Sequence, residues 1–288
     1  MFLKAHCFRL LAALSILVPA ATSAQEKIEY RLTWMVESSD EQKEAASYSK
    51  LSELAQTRLL PTQLLVADSD ITLPGGKILA KEGTQFAALR SDLPMACNVH
   101  KQNDETLAGK KHLCLVDKDS DGNFDSHFAK GRDSHYWYVL AGSVRPSKLK
   151  DIQPVALSSA PAEDLNDAPI LSVNFGRFLD AGNLFQGGLQ GQIQSETAVS
   201  FFYEVGTAKR MNLMSRNCVD EPIEPYGCAP AVFPIPMELL GLGATVHERV
   251  GEDAVVSVES GFEPAEVFMT TKMSGYYTLS ELFLYEGD

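Results

Sequence analysis

The sequence predicts a mostly β protein, built from antiparallel sandwich or barrel-like sheets with one short N-terminal amphipathic helix. Three observations carry this. Ile28, Tyr30, Leu32, Trp34 and Val36 alternate with more polar neighbours, the period-two signature of a half-buried strand. Further along, short apolar or aromatic runs recur at roughly eight to twelve residues with Gly and Pro between them. Only one stretch has helical spacing.

That stretch begins after the first strand. Ser38 with Glu41 three residues on fits a capping box. Tyr48, Leu51, Ala55 and Leu59 follow at spacings of three and four, and Pro61 stops the run. An amphipathic surface helix is expected there. Strands are then expected over 63–67, 77–80, 84–89, 111–116, 126–130 and 136–144. Pro74-Gly75-Gly76 and Lys81-Glu82-Gly83 supply turns. Residues 151–169 carry Pro154, Pro161 and Pro169 and are expected as a linker or long connection between β-rich regions at 25–150 and 170–288. The second region is again strand-like over 170–175, 189–194, 198–205, 238–249, 254–259, 266–272 and 276–284.

Residues 1–24 have the three parts of a secretory signal peptide. Lys4 and Arg9 precede an apolar run from Leu10 to Val18, and small residues end at Ala24. The apolar run is short for a membrane span. Cleavage after Ala24 removes Lys4 and Arg9 and no acid, taking the formal net charge from −13 to −15. So acidic a chain argues against nucleic acid and anionic lipid as partners, since both require a basic patch. No later stretch is long and apolar enough for an integral membrane segment. Export to the periplasm, cell envelope or exterior is the expected localisation.

Four cysteines then remain: Cys97, Cys114, Cys218 and Cys228. An even count in an exported chain reads as disulfides. Three pairings are open, and proximity in sequence favours Cys97–Cys114 with Cys218–Cys228. A zinc site competes weakly, because no C-x-x-C spacing is present.

The most informative segment runs from Asp117 to Asp125 and reads D-x-D-x-D-G-x-x-D. Four carboxylates crowd around Gly122. Their mutual repulsion is relieved by a hard divalent cation that takes several oxygens, and calcium is the usual one. A solvated acidic turn without an ion is the bland alternative, because Asp, Asn, Ser and Gly are ordinary turn residues. The segment resembles the calcium loop of EF-hands and its looser relatives in dockerins, thrombospondin repeats and integrin propellers. The resemblance covers these nine residues alone. It implies one structural calcium held by Asp117, Asp119 and Asp121, the Asn123 carbonyl, and Asp125 directly or through water, with Gly122 at the sharp turn. Where an EF-hand has a bidentate Glu, this chain has Phe128. The flanks read as strands rather than helices. A static loop on a β-hairpin is therefore expected, with Asp104, Glu105 or Asp133 as sources of a further oxygen.

Other chemistry has weaker signals. His127 and His135 lie near Asp125 and Asp133, but histidines beside a strand are more often surface residues. There is no H-E-x-x-H, G-x-S-x-G, Walker or dinucleotide-binding motif. Tyr136-Trp137-Tyr138 has the residue types to stack a sugar or base, or to pack a core. The expected role is a non-enzymatic binding or structural module of the envelope or exterior, with a protein or glycan as its ligand. The alternative is an exported hydrolase acting on a saccharide or other envelope polymer through paired carboxylates distant in sequence.

Overall fold

A computed structural model describes residues 27–99, 111–131, 139–179, 198–206, 216–218, 233–274 and 277–284. The fold is mostly β, in several antiparallel sheets that do not close into a barrel among the described residues. The first sheet has nine strands. Along its main path lie β12 (Ala141–Val144), β1 (Ile28–Arg31), β8 (Gln85–Ser91), β9 (Met95–Asn98), β10 (Lys111–Val116), β11 (Phe124–Gly131) and β13 (Lys150–Val155). β5 (Leu64–Ala67) branches off β8 and carries β14 (Leu157–Ala160) on its far side. The second sheet runs β17 (Arg216–Cys218), β16 (Ala198–Gly206), β15 (Ile170–Leu179), β4 (Glu53–Pro61), β2 (Thr33–Val36), β21 (Glu266–Ser274), β22 (Tyr277–Leu284). A third orders β18 (Ile235–Leu239), β19 (Leu242–Val250), β20 (Asp253–Ser260), β3 (Lys43–Tyr48), and β6 (Ile71–Thr72) pairs with β7 (Ile78–Ala80).

The first alternating run is one pattern serving two sheets. β1 pairs with β12 and β8, whereas β2 pairs with β4 and β21. The chain changes sheet at Leu32, whose N–H bonds the Leu140 carbonyl at 2.7 Å. The Arg90–Glu266 pair ties the same two sheets together, with Nε and Nη2 at 2.9 and 2.7 Å from the two carboxylate oxygens. Beside it the Arg31 guanidinium lies 5.2 Å from the centre of the Phe268 ring.

The helix expected after Ser38 does not form. The segment makes β3 and β4 instead. A spacing of four is shared by one helix face and one strand face, because two divides four. Ala55, Thr57 and Leu59 therefore line up as alternate positions of a strand, all buried. Of the expected capping pair, Glu41 is spent on a tertiary contact, its carboxylate accepting the Gln56 N–H at 3.3 Å. The neighbouring Ser39 Oγ accepts the Phe262 N–H at 3.0 Å. Where Ser39 crosses the start of the next segment, a Cβ on Gly261 would overlap the Ser39 carbonyl, so only glycine fits.

Beyond the last β2–β4 pair, the ion pair Glu41–Lys43 (2.7 Å) blunts the free edge of β4. Glu41 takes the Gln56 N–H, and Lys43 Nζ donates to the Leu54 carbonyl at 2.6 Å. One carboxylate and one ammonium thus stand where a neighbouring peptide would have bonded, a common way of protecting an edge.

Residues 151–169 hold β14, most of β13 and a 3-10 turn at Ala162–Asp164. β13 pairs with β11, and β14 with β5. The expected signal peptide and the expected strand over 189–194 lie outside the described residues. No described helix is long and apolar enough to cross a membrane.

Two cores follow from the layering. The larger takes Trp34, Leu54, Leu59, Phe175 and Val267 from the second sheet, Val246, Val256 and Val258 from the third, and Tyr30, Cys97, Cys114 and Val116 from one face of the first. The smaller lies on the opposite face of the first sheet, around Phe86, Ala96, Leu113, Leu115, Phe124 and Ile152. The central strands of the first sheet are thus covered on both faces, which is why β9 and most of β10 are buried at successive positions. Each large side chain fully buried there contributes about 1.5–3 kcal/mol.

Candidate metal centre

The acidic loop is the tip of the β10–β11 hairpin. The two strands pair in unbroken register from Lys111↔Gly131 to Val116↔Ser126, as expected of a β rather than a helical frame. Three devices steady the hairpin at its tip end. Cys114 lies directly opposite Cys97 on β9 and is joined to it by a disulfide, with both residues fully buried. The Asp117 N–H bonds the Pro94 carbonyl at 3.0 Å. Leu115 and Phe124, either side of the loop, share the smaller core.

Asp117 is 1% exposed. Its Oδ2 accepts the Gly122 N–H at 2.9 Å and its Oδ1 the Asp121 N–H at 3.3 Å. The loop therefore curls around this one carboxylate. Gly122 has φ +92°, a left-handed conformation that glycine adopts without a Cβ clash. Ser120 also has positive φ, at 59°. Asp121 Oδ1 accepts the Asn123 N–H at 2.7 Å. Asp119 and Asp121 are exposed, and one carboxylate oxygen each from Asp117, Asp119 and Asp121 lie within 4.8 Å of one another.

Of the four expected carboxylates, three converge. Asp125 is engaged by Lys118, accepting its N–H at 3.3 Å and facing its ammonium at 3.5 Å. The same ammonium lies 2.9 Å from Asp151 Oδ1, and these carboxylates hold the Lys118 pKa above its ordinary value, the Asp151 hydrogen bond being the largest cause. Lys118 supplies a positive charge beside the triad that the spacing of acids did not reveal. Its partner Asp151 belongs to β13, the stretch expected as a connection. Phe128, at the place of an EF-hand's bidentate Glu, is 7% exposed and packs on Tyr30 with ring centres 5.3 Å apart. Asp104, Glu105 and Asp133 lie outside the described residues. Cys218 lies on β17, while Cys228, and with it the expected second bridge, falls outside them.

The donor set is all oxygen and largely anionic. That chemistry suits hard cations such as calcium, magnesium or manganese rather than zinc or copper.

The histidines do not form a second centre among the described residues. His127 is buried, with Nδ1 at 3.0 Å from the Lys150 carbonyl, and burial pushes its pKa below the ordinary histidine value. His112 Nδ1 is 2.9 Å from the Asn98 carbonyl oxygen. His247 Nε2 lies 2.8 Å from Ser257 Oγ on the open side of β19 and β20. His135 and the Tyr136–Tyr138 aromatics fall outside the described residues. An open cleft of about 280 Å³ lies where β2 and β4 part, lined by Glu37, Ser38, Ser39, Gln56, Thr57, Arg58 and Ile170. It offers one carboxylate, not the pair that hydrolysis of a glycoside requires.

No family model matches this chain, and no curated protein or solved structure matches it either.

Proposed function

We propose that this chain is an exported, β-rich binding or structural module whose acidic hairpin tip holds one calcium ion as a static staple. The observation that carries the reading is the convergence of Asp117, Asp119 and Asp121 at the tip of a hairpin clamped by Cys97–Cys114. Asp117 belongs to the loop's fold as well as to the triad, so an ion bound there stabilises the hairpin directly. The strand flanks supply no helix pair to open, so the ion acts as a brace and not as a switch. A disulfide fits the same reading, because such bonds persist in oxidising compartments, where calcium is also abundant.

Affinity in the range of extracellular modules is expected, with a dissociation constant of ~0.1–1 mM. At ~1 mM calcium and ~0.1 mM Kd the ion stabilises the fold by about 1.4 kcal/mol. For a chain of this size that raises Tm by roughly 3–5 °C. Thermal unfolding in calcium and in chelator tests it, on wild type and on the Asp119→Ala/Asp121→Ala variant. A calcium-dependent rise in wild type alone supports the site; equal midpoints in wild type sink it.

A further inference from the structure

The acidic loop contains the chain's one Asp–Gly step, Asp121–Gly122. Such a step is where a main-chain nitrogen can reach the preceding side-chain carboxyl, because glycine puts no Cβ in the way. Here three observations favour that reaction. Asp121 is exposed. The Gly122 N–H already points at the Asp117 carboxylate, 2.9 Å away, which can accept its proton. And Asp121 Oδ1 takes the Asn123 N–H at 2.7 Å. That bond folds the carboxyl back over the peptide that follows it and withdraws electron density from Cγ.

We propose that Asp121 is a site of spontaneous isoaspartate formation in the folded protein. The Gly122 nitrogen attacks Cγ of the Asp121 carboxyl in its acid form. The N–H bond and the C–OH bond break, Asp117 relays the proton, and hydrogen and hydroxyl leave as one water. The product is a five-membered succinimide. Water then re-enters at either carbonyl. Entry at the Asp121 main-chain carbonyl leaves the chain running through Cγ and frees the former backbone carbonyl as the new carboxylate. One water leaves and one returns, so no oxidant, reductant or second substrate is needed and the mass is unchanged. The main chain gains one methylene between Asp121 and Gly122, and the carboxylate moves away from Asp117 and Asp119. The conversion therefore dismantles the triad.

A consequence that rests on the calcium reading above is protection. A cation that engages the Asp121 carboxylate keeps it from reacting, so conversion becomes a record of time spent without the ion.

The experiment incubates the full chain at neutral pH in chelator and in calcium. Isoaspartate is located by peptide mapping and by enzymatic methylation of isoaspartyl residues. A free peptide spanning 117–124 and the Asp121→Glu chain, whose longer side chain disfavours the five-membered closure, run alongside. Expected is isoaspartate at 121 in the chelated wild type, at a rate no slower than in the peptide, and none there in Asp121→Glu. Asp117→Asn slows the reaction without abolishing it. If the peptide converts and the folded chain does not, the loop geometry opposes the reaction and the proposal is overturned. If the chain converts equally fast in calcium and chelator, the modification site stands and it is the calcium reading that fails.

Discussion

Lys118 Nζ stands 2.9 Å from Oδ1 of Asp151, a residue 33 positions further along the chain, and this contact joins the acidic loop to β13. The same ammonium faces Asp125 at 3.5 Å. It neutralises part of the loop's charge and pairs with one expected ligand, Asp125. Replacing Lys118 by Ala leaves Asp125 free and raises the negative potential around Asp117, Asp119 and Asp121. Exposed charge pairs contribute roughly 0.2–1 kcal/mol, so calcium should bind about 1.5- to fivefold more tightly to Lys118→Ala. Calorimetric titration measures this. The difference should shrink as salt is added, because exposed charges are screened. Weaker binding would show instead that Lys118 is needed to hold Asp125 in place.

Asp117 has two roles that substitution can separate. Asn at this position keeps an acceptor for the Gly122 N–H and removes the charge. Ala removes both, leaving two loop N–H groups without their acceptor. Asp121 and Gly122 lie in an exposed turn that water reaches, so the loss is that of an ordinary hydrogen bond, about 0.5–1.5 kcal/mol. Denaturant titration in chelator should find Asp117→Ala destabilised by about that amount and Asp117→Asn much closer to wild type. Both should lose calcium-dependent stabilisation. Equal stability of the two variants in chelator would mean that the hydrogen bonds around Asp117 do not shape the loop.

The contrast between Asp117 and Lys118 shows what the sequence made legible. The D-x-D-x-D-G spacing located the triad, because the loop is local and its turn needs glycine at one place. Spacing could not carry the partner of Asp125, since the Lys118 that faces it also bonds Asp151, a residue distant in sequence. Strands were legible where one face is open, as along β1, where polar and apolar residues alternate. They blurred where both faces are covered. In β4 the apolar residues fall at spacings that a helix would share, and only pairing with β2 and β15 decides the outcome. Proline misled in 151–169. Pro154 sits within β13 at a position with no pairing partner, beside the shift in register between Phe124 and Ser126, where its missing N–H costs no ladder bond.

The disulfide should matter to the fold and to the loop together. Cys97 and Cys114 are 17 residues apart in sequence, a loop length for which the chain-entropy model gives about 3 kcal/mol. Cys97→Ala/Cys114→Ala should lower the unfolding free energy by about that amount in urea. Because Cys114 is three residues from Asp117, calcium affinity should fall as well. Loss of stability with unchanged calcium affinity would show that the strand pairing alone aligns the triad.

His127 makes a prediction about acid. Its pKa is pushed down from the ordinary 6.5 by burial, the Lys150 carbonyl contact notwithstanding. The unfolded chain therefore takes up a proton at higher pH than the folded one. Its contribution to stability is fully present above pH 6.5. It is lost as pH falls from there through the folded pKa, and it does not change further below that. His127→Gln keeps an N–H that can reach the Lys150 carbonyl and removes the titration. Denaturant midpoints for the two proteins should differ by a constant above about pH 7, with the wild type losing ground relative to the variant as pH is lowered. If the two curves stay parallel down to pH 5, His127 takes up its proton in the folded state as readily as in the unfolded one, and the buried position between Leu115 and Lys150 is open to water.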